Sequence, residues 1–185
     1  MRVLQMNPGA LPKRERGMPR EVRDAVTGLR VWLASLLMCR FFERHPDIVR
    51  GKGICGLGEG IGLLGVFLAT QGPSRALLTD GSPLCVSMIK ANLDIADLPP
   101  ELEKEAAVLP FGEMFELVDS LRGRFDVLFA ADVVYNRTAS VIDDLFQTAE
   151  ETRTHGSSAG SSRQAWCLLG ADSPRCRRWR RDGWP

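Results

Sequence analysis

Gly58, Gly60 and Gly62 alternate through the segment Ile54-Cys-Gly-Leu-Gly-Glu-Gly-Ile-Gly-Leu-Leu-Gly65, with apolar residues on both sides. Glycines at this spacing let a chain leave a strand sharply and bring its backbone close to a ligand. A helix starting directly afterwards would offer unpaired amides and a positive dipole end to a carboxylate or phosphate. Downstream, Ala76-Leu-Leu-Thr-Asp80 is an apolar run that ends in an acid, suited to accepting hydrogen bonds from ribose hydroxyls. A nucleoside cofactor accounts for both features together.

The elements that must position these residues follow from periodicity. Val31, Leu33, Leu36, Leu37, Phe41 and Phe42 predict a helix from about Thr27 to Arg44 with one buried face, ended by Pro46. A strand at Gly53–Leu57, the glycine turn and a helix over Leu63–Ala69 come next. After the strand Ala76–Asp80, Ser82 is placed to cap a helix and Pro83 suits its first position. That helix would run to about Ala96 with Leu84, Met88 and Leu93 inward, and Pro99-Pro100 would close it. Ala106–Leu109 reads as a short strand and Phe125–Ala131 as a strand buried on both faces. A helix over about Ala139–Thr152 and a further strand at Ala165–Gly170 complete the alternation. Strand and helix in turn predict an α/β fold, a Rossmann-like, doubly wound and mostly parallel sheet.

Bulk properties narrow the class. A chain of 185 residues, 44% hydrophobic and 25% charged, can bury one substantial core, expected over residues 21–171. Residues 1–20 read as a basic, disordered leader, His155–Ser162 as a Gly/Ser-rich linker, and residues 172–185 as a basic, disordered tail. The net charge of +1 argues against nucleic acid as a partner, the arginines and tryptophans of the tail notwithstanding. No apolar run reaches the ~20 residues of a membrane span. Five cysteines without C-x-x-C spacing and two isolated histidines, His45 and His155, give no metal site. A reducing compartment, cytoplasmic or nuclear, is expected, with organelle targeting left open by the basic leader.

Spacing alone leaves the nucleoside undecided. Gly58-x-Gly60-x-Gly62 is the methyltransferase pattern, and Gly60-x-Gly62-x-x-Gly65 matches the dinucleotide fingerprint of nicotinamide-dependent oxidoreductases. Flanking segments decide between them. Thr27-Gly-Leu-Arg-Val-Trp32-Leu-Ala-Ser35, Leu77-Leu-Thr-Asp80 and Phe125-Asp-Val-Leu-Phe-Ala-Ala-Asp132-Val-Val-Tyr135 together resemble the family-16 branch of class I, seven-strand S-adenosylmethionine-dependent methyltransferases. Many members of that branch methylate lysine in other proteins. The resemblance spans about Thr27 to Thr148. It implies that Gly58, Glu59, Gly60 and Gly62 line the cofactor's methionine and ribose end, and that Asp80 binds the ribose. It further implies that Trp32 walls the pocket, that Phe111 packs near the adenine and that Ala131 touches the cofactor. Asp132 and Tyr135 would border the channel for the target amine. Methyl transfer from a sulfonium is an in-line displacement, so an acid that orients the amine and an aromatic that excludes water suffice.

Two departures from the family pattern bear on activity. Gly56 stands where relatives usually carry an acid, which would remove an anchor of about 1–3 kcal/mol. Glu59 is expected to be a poor substitute, because its side chain starts from another backbone position. The strand pattern also stops before the final antiparallel pair of a seven-strand sheet, so the fold is expected to be shortened at its C-terminal edge. These departures keep open a catalytically impaired methyltransferase-like binding module beside the protein-lysine methyltransferase.

Overall fold

The computed structural model describes residues 26–111 and 124–133 and the backbone of Gln164–Leu168. The leader, Tyr135, the helix expected over Ala139–Thr152, the Gly/Ser-rich linker and the basic tail lie outside the described residues.

Residues 26–28 form one helical turn, and α1 spans Leu33–Arg44. Strand β1 (Gly53–Gly56), helix α2 (Leu63–Ala69), strand β2 (Arg75–Asp80) and helix α3 (Pro83–Ile95) follow. Strands β3 (Glu103–Val108), β4 (Val127–Ala131) and β5 (Gln164–Leu168) complete the described elements. All pairings are parallel, in the order β3-β2-β1-β4-β5. The chain thus builds outward from β1 on one side, then crosses to build outward on the other. The point of reversal lies between β1 and β4, where open α/β sheets leave a crevice beyond their carboxyl ends.

The central strands are apolar because both of their faces are covered. Every residue of β1 is buried, as are Val127–Ala130 of β4. One cluster joins Phe42 and Met38 of α1, Leu64 and Leu68 of α2, Ile89 and Leu93 of α3, and Ile54, Leu78 and Phe129 of the sheet. Among the described strands β3 is an edge, and the exposed Glu103, Lys104 and Glu105 begin it. Such charged edges resist further strand pairing. Their polarity also hid the strand's start, expected only at Ala106.

Two helix faces differ from expectation. Leu33, Leu36 and Leu37 are 67%, 46% and 54% exposed, and the buried stripe of α1 is Met38 and Phe42. The single expected helix is broken, since Trp32 takes an extended conformation at the start of α1 and resets its phase. Both stripes have helical spacing, so periodicity could not choose between them. In α3, Leu84 is exposed and Cys85, Val86, Ile89, Asn92 and Leu93 face inward. Met88 instead packs on a small satellite of Val26, Leu29 and Ile61.

Candidate functional site

The glycine turn leaves β1 and is stitched to both neighbouring strands. The amide of Leu57 donates to the carbonyl of Phe129 on β4, and that of Glu59 to the carbonyl of Thr79 on β2, each at 2.9 Å. The buried Thr79 hydroxyl donates to the Gly56 carbonyl at 2.7 Å. From α3, the buried Asn92 side-chain amide donates to the Ile61 carbonyl at 2.8 Å. Asn92→Leu would keep the apolar contacts of α3 and orphan that carbonyl. A loss of about 1–3 kcal/mol in denaturant-unfolding stability is expected.

Gly58, Gly60 and Gly62 all have positive φ, at 67°, 59° and 80°. Their bare sides pack on protein. A side chain at Gly60 would strike the Gly28 carbonyl, one at Gly58 would meet Val133 at 2.7 Å and Phe111 at 3.2 Å, and one at Gly62 would meet Ile89 at 3.1 Å. The glycines therefore serve a tight loop and its covering, rather than an open cradle in the direction of the absent side chains. Gly28 itself sits against Cys85 and Gly60, so the helical turn at residues 26–28 lies directly on the glycine turn. Trp32, 44% exposed, donates its indole Nε1 hydrogen to the Thr27 carbonyl at 3.1 Å and braces that same turn.

Asp80 ends β2 with its carboxylate aimed at the glycine turn. Oδ2 accepts from the Gly60 amide and Oδ1 from the Ser82 amide, both at 2.8 Å. Oδ1 thus takes the amide of Ser82 itself, and the Ser82 hydroxyl, expected to cap α3, makes no capping bond there. Burial raises the Asp80 pKa above the usual carboxylate value, against the lowering effect of the Ser82 and Gly60 amides. The Cys85 thiol is a third donor to the carboxylate, which still has acceptor capacity for a ligand's hydroxyl.

Glu59 corrects an expectation. Its carboxyl folds back beneath the turn, against the space a side chain at Gly56 would occupy, and Oε2 accepts from the Gly65 amide at 2.8 Å. An acid thus stands beside Gly56 although position 56 carries none, because the turn brings position 59 over the end of β1. Burial pushes Glu59 up to about 8, with the Gly65 amide lowering it and the Asp80 charge adding to the rise. Burial likewise pushes the Cys39 and Cys85 thiols up to about 12 and that of Cys55 upward, so none is an activated nucleophile. Among the described residues no group of three or more His, Cys, Asp or Glu is placed to hold a metal ion.

At the reversal point, Phe111 follows β3 and reaches over Gly58 beside Val133. Ala131 ends β4, half-buried, and Asp132 follows with φ 57°. A left-handed conformation in a non-glycine residue stores strain and re-aims the chain, a feature concentrated at functional sites. Gly28, Val133 and Asn92 escaped the sequence reading. Of these Gly28, inside Thr27-Gly-Leu-Arg-Val-Trp32, and Val133, inside Asp132-Val-Val-Tyr135, stood in segments already singled out.

The donor set separates the two nucleosides. A pyrophosphate needs the amides at the end of the glycine turn, but acids hold them: Asp80 takes Gly60 and Glu59 takes Gly65. A cationic sulfonium meets the opposite need at this acid-lined turn. S-adenosylmethionine fits these residues and a dinucleotide does not.

Comparison with known proteins agrees. Mouse EEF1A lysine methyltransferase 3 is 33% identical over 108 residues, 57% of this chain and 43% of the relative. Mouse protein N-lysine methyltransferase METTL21A is 32% identical over 120 residues, 64% of this chain and 52% of the relative. The chain thus spans about half the length of these curated relatives. A SAM-dependent methyltransferase from Thiobacillus denitrificans, solved with S-adenosyl-L-homocysteine, shares the fold with a TM-score of 0.50 at 14% identity, over 74% of this chain and 52% of that one. Residues 18–159, from before the first helical turn to beyond β4, match the lysine methyltransferase family, and the chain is a member of it.

Proposed function

We propose that the chain is an S-adenosylmethionine-dependent methyltransferase that modifies lysine in a protein substrate. The observation that carries this reading is the Asp80 carboxylate at the carboxyl end of β2, bonded to the Gly60 amide at the reversal point of the sheet. Asp80 and the turn Gly58–Gly62 hold the ribose and methionine end, Phe111 and Trp32 border the adenosine, and Ala131 lies along the cofactor. S-adenosylmethionine supplies the electrophilic methyl carbon. The chain's part is to align a neutral amine with it and keep water away. Asp132, re-aimed by its left-handed backbone, orients the amine, and Tyr135 walls the channel. The buried thiols of Cys55 and Cys85 suit a reducing compartment, cytoplasmic or nuclear.

Titration calorimetry of the full chain with S-adenosylmethionine and, separately, with NAD tests the cofactor. Saturable binding of the first alone is expected, and binding of NAD alone would overturn the reading. Transfer of labelled methyl groups to lysine in a protein extract tests the activity. Asp132→Ala is expected to lower that transfer at least about tenfold while leaving cofactor affinity within about threefold.

The non-catalytic alternative rested on Gly56 and on the expected shortened edge. The carboxyl of Glu59 lies beside Gly56, which speaks against the first of these grounds.

A further inference from the structure

Gly56 is a glycine for want of space rather than for conformation. Its φ is not positive, and it sits within a fully buried strand where any small side chain could follow the backbone. What denies it a side chain is Glu59, whose Oε1, Cδ and Cγ would lie 2.7 to 2.8 Å from a Cβ at position 56. The far side of the same carboxyl is bounded by Gly65, whose own Cβ would fall 2.9 Å from Oε2 and would also strike Leu78. Two glycines thus frame one carboxyl group, and the amide of the second binds it at 2.8 Å.

We propose that Glu59 is a positioning residue whose carboxyl, folded into the space left by Gly56, fastens the cofactor turn to α2 through the Gly65 amide. The backbone of Glu59 serves the same end, its amide tied to Thr79 and its carbonyl accepting from the Gly62 amide. Side chain and main chain of one residue therefore hold the turn from both its ends. Loss of the carboxyl frees the turn at Gly60, where Asp80 would meet the ribose; this step rests on the cofactor reading above. The acid is needed for where it lies, so an acid hung from position 56 should do the same work. An aspartate there would carry its carboxyl on a Cβ in the space that the Glu59 carboxyl now fills.

The surroundings favour the uncharged acid. Asp80 on β2 faces Glu59, as do the Cys55 thiol of β1 and the Cys39 thiol of α1, and no cation is paired with it by an ion pair among the described residues. A neutral carboxyl still accepts from the Gly65 amide through its carbonyl oxygen. Glutamine reproduces that shape and acceptor.

The test uses the full chain and four variants: E59A, E59Q, G56D and G56D/E59A. Cofactor affinity is read by calorimetry with S-adenosylmethionine, and the fastening itself by thermal midpoint and Gly65 amide exchange without cofactor. E59A is expected to lose about tenfold or more in affinity and to expose the Gly65 amide. E59Q should stay within about threefold of the parent. G56D sets two carboxyls in one space and should lower the midpoint, whereas G56D/E59A should recover both affinity and protection. If E59A fails to fold, E59Q and the double variant decide. A double variant no better than E59A, or an E59A chain that keeps its affinity and its amide protection, would sink the proposal. Should the parent not bind S-adenosylmethionine at all, the cofactor reading falls, and the midpoints and Gly65 exchange still judge the fastening.

Discussion

Gly60→Ala is expected to be the most damaging single methyl group that can be added to the turn. Two costs act at once. The residue holds φ 59°, in the left-handed region that costs an L-residue about 1–2 kcal/mol. Its new Cβ would also strike the Gly28 carbonyl, a backbone atom that cannot swing aside as a side-chain tip would. Overpacking of this kind adds about 1–3 kcal/mol, so a total near 2–5 kcal/mol is expected against a domain stability of about 5–15 kcal/mol. Relief requires the helical turn at residues 26–28 to lift, and that displaces Trp32, which is bonded to it. Stability and cofactor binding should therefore fall together. Gly51→Ala separates the two terms, because Gly51 has φ 71° with nothing within 4 Å of a Cβ. In chemical denaturation Gly51→Ala should lose only the backbone term, and equal losses in the two variants would remove the contact between the helical turn and the glycine turn from the account.

The distinction between backbone strain and lack of space also marks how far the sequence could be read. The glycine pattern, Asp80 and the two apolar strands Gly53–Leu57 and Phe125–Ala131 were legible because each follows from local chemistry: turn freedom, a terminal acid, burial on both faces. The doubly wound order followed from their alternation. What could not be read depends on which surfaces meet. Leu33, Leu36 and Leu37 have the same helical spacing as Met38 and Phe42, and only the kink at Trp32 selects the second set. Glu59 was discounted because its side chain starts from another backbone position, yet a turn of positive-φ glycines returns the chain over its own strand. Gly28 carried no signal beyond being a glycine. Its meaning lies in the contact with Gly60, which no periodicity records.

Asp80→Asn should separate the fold from the site more sharply than any other exchange. The two Asp80 oxygens accept one amide each, from Gly60 and Ser82 at 2.8 Å. Asparagine has a single carbonyl oxygen, so whichever way it turns, its NH2 group faces one of those N–H donors. One orphaned amide is expected to cost about 1–3 kcal/mol, and Asp80→Ala, with two orphans, about twice that. The ribose would feel a second loss, since its hydroxyls need acceptors and the remaining NH2 group offers none. A fall of about 30-fold or more in S-adenosylmethionine affinity is expected, near 2 kcal/mol, beyond the change in stability. The protein supplies its own control at the other end of the sheet. Asp126 accepts from the Gly53 amide through Oδ2 at 2.9 Å, a capping carboxylate at the start of β1 rather than beyond its end. Asp126→Ala, which orphans one amide as Asp80→Asn does, should therefore lower the thermal midpoint to a comparable degree and leave cofactor affinity within about threefold of the parent. Burial raises the Asp80 pKa, so the folded chain holds the proton more tightly than the unfolded one, and this contribution to stability is full below the ordinary value of 3.8 and declines as the pH rises through the folded value. Ribose binding runs the other way, since the ionised carboxylate is the better acceptor. Affinity that follows stability in both variants, with no separate loss at Asp80, would mean that the carboxylate caps a helix and nothing more.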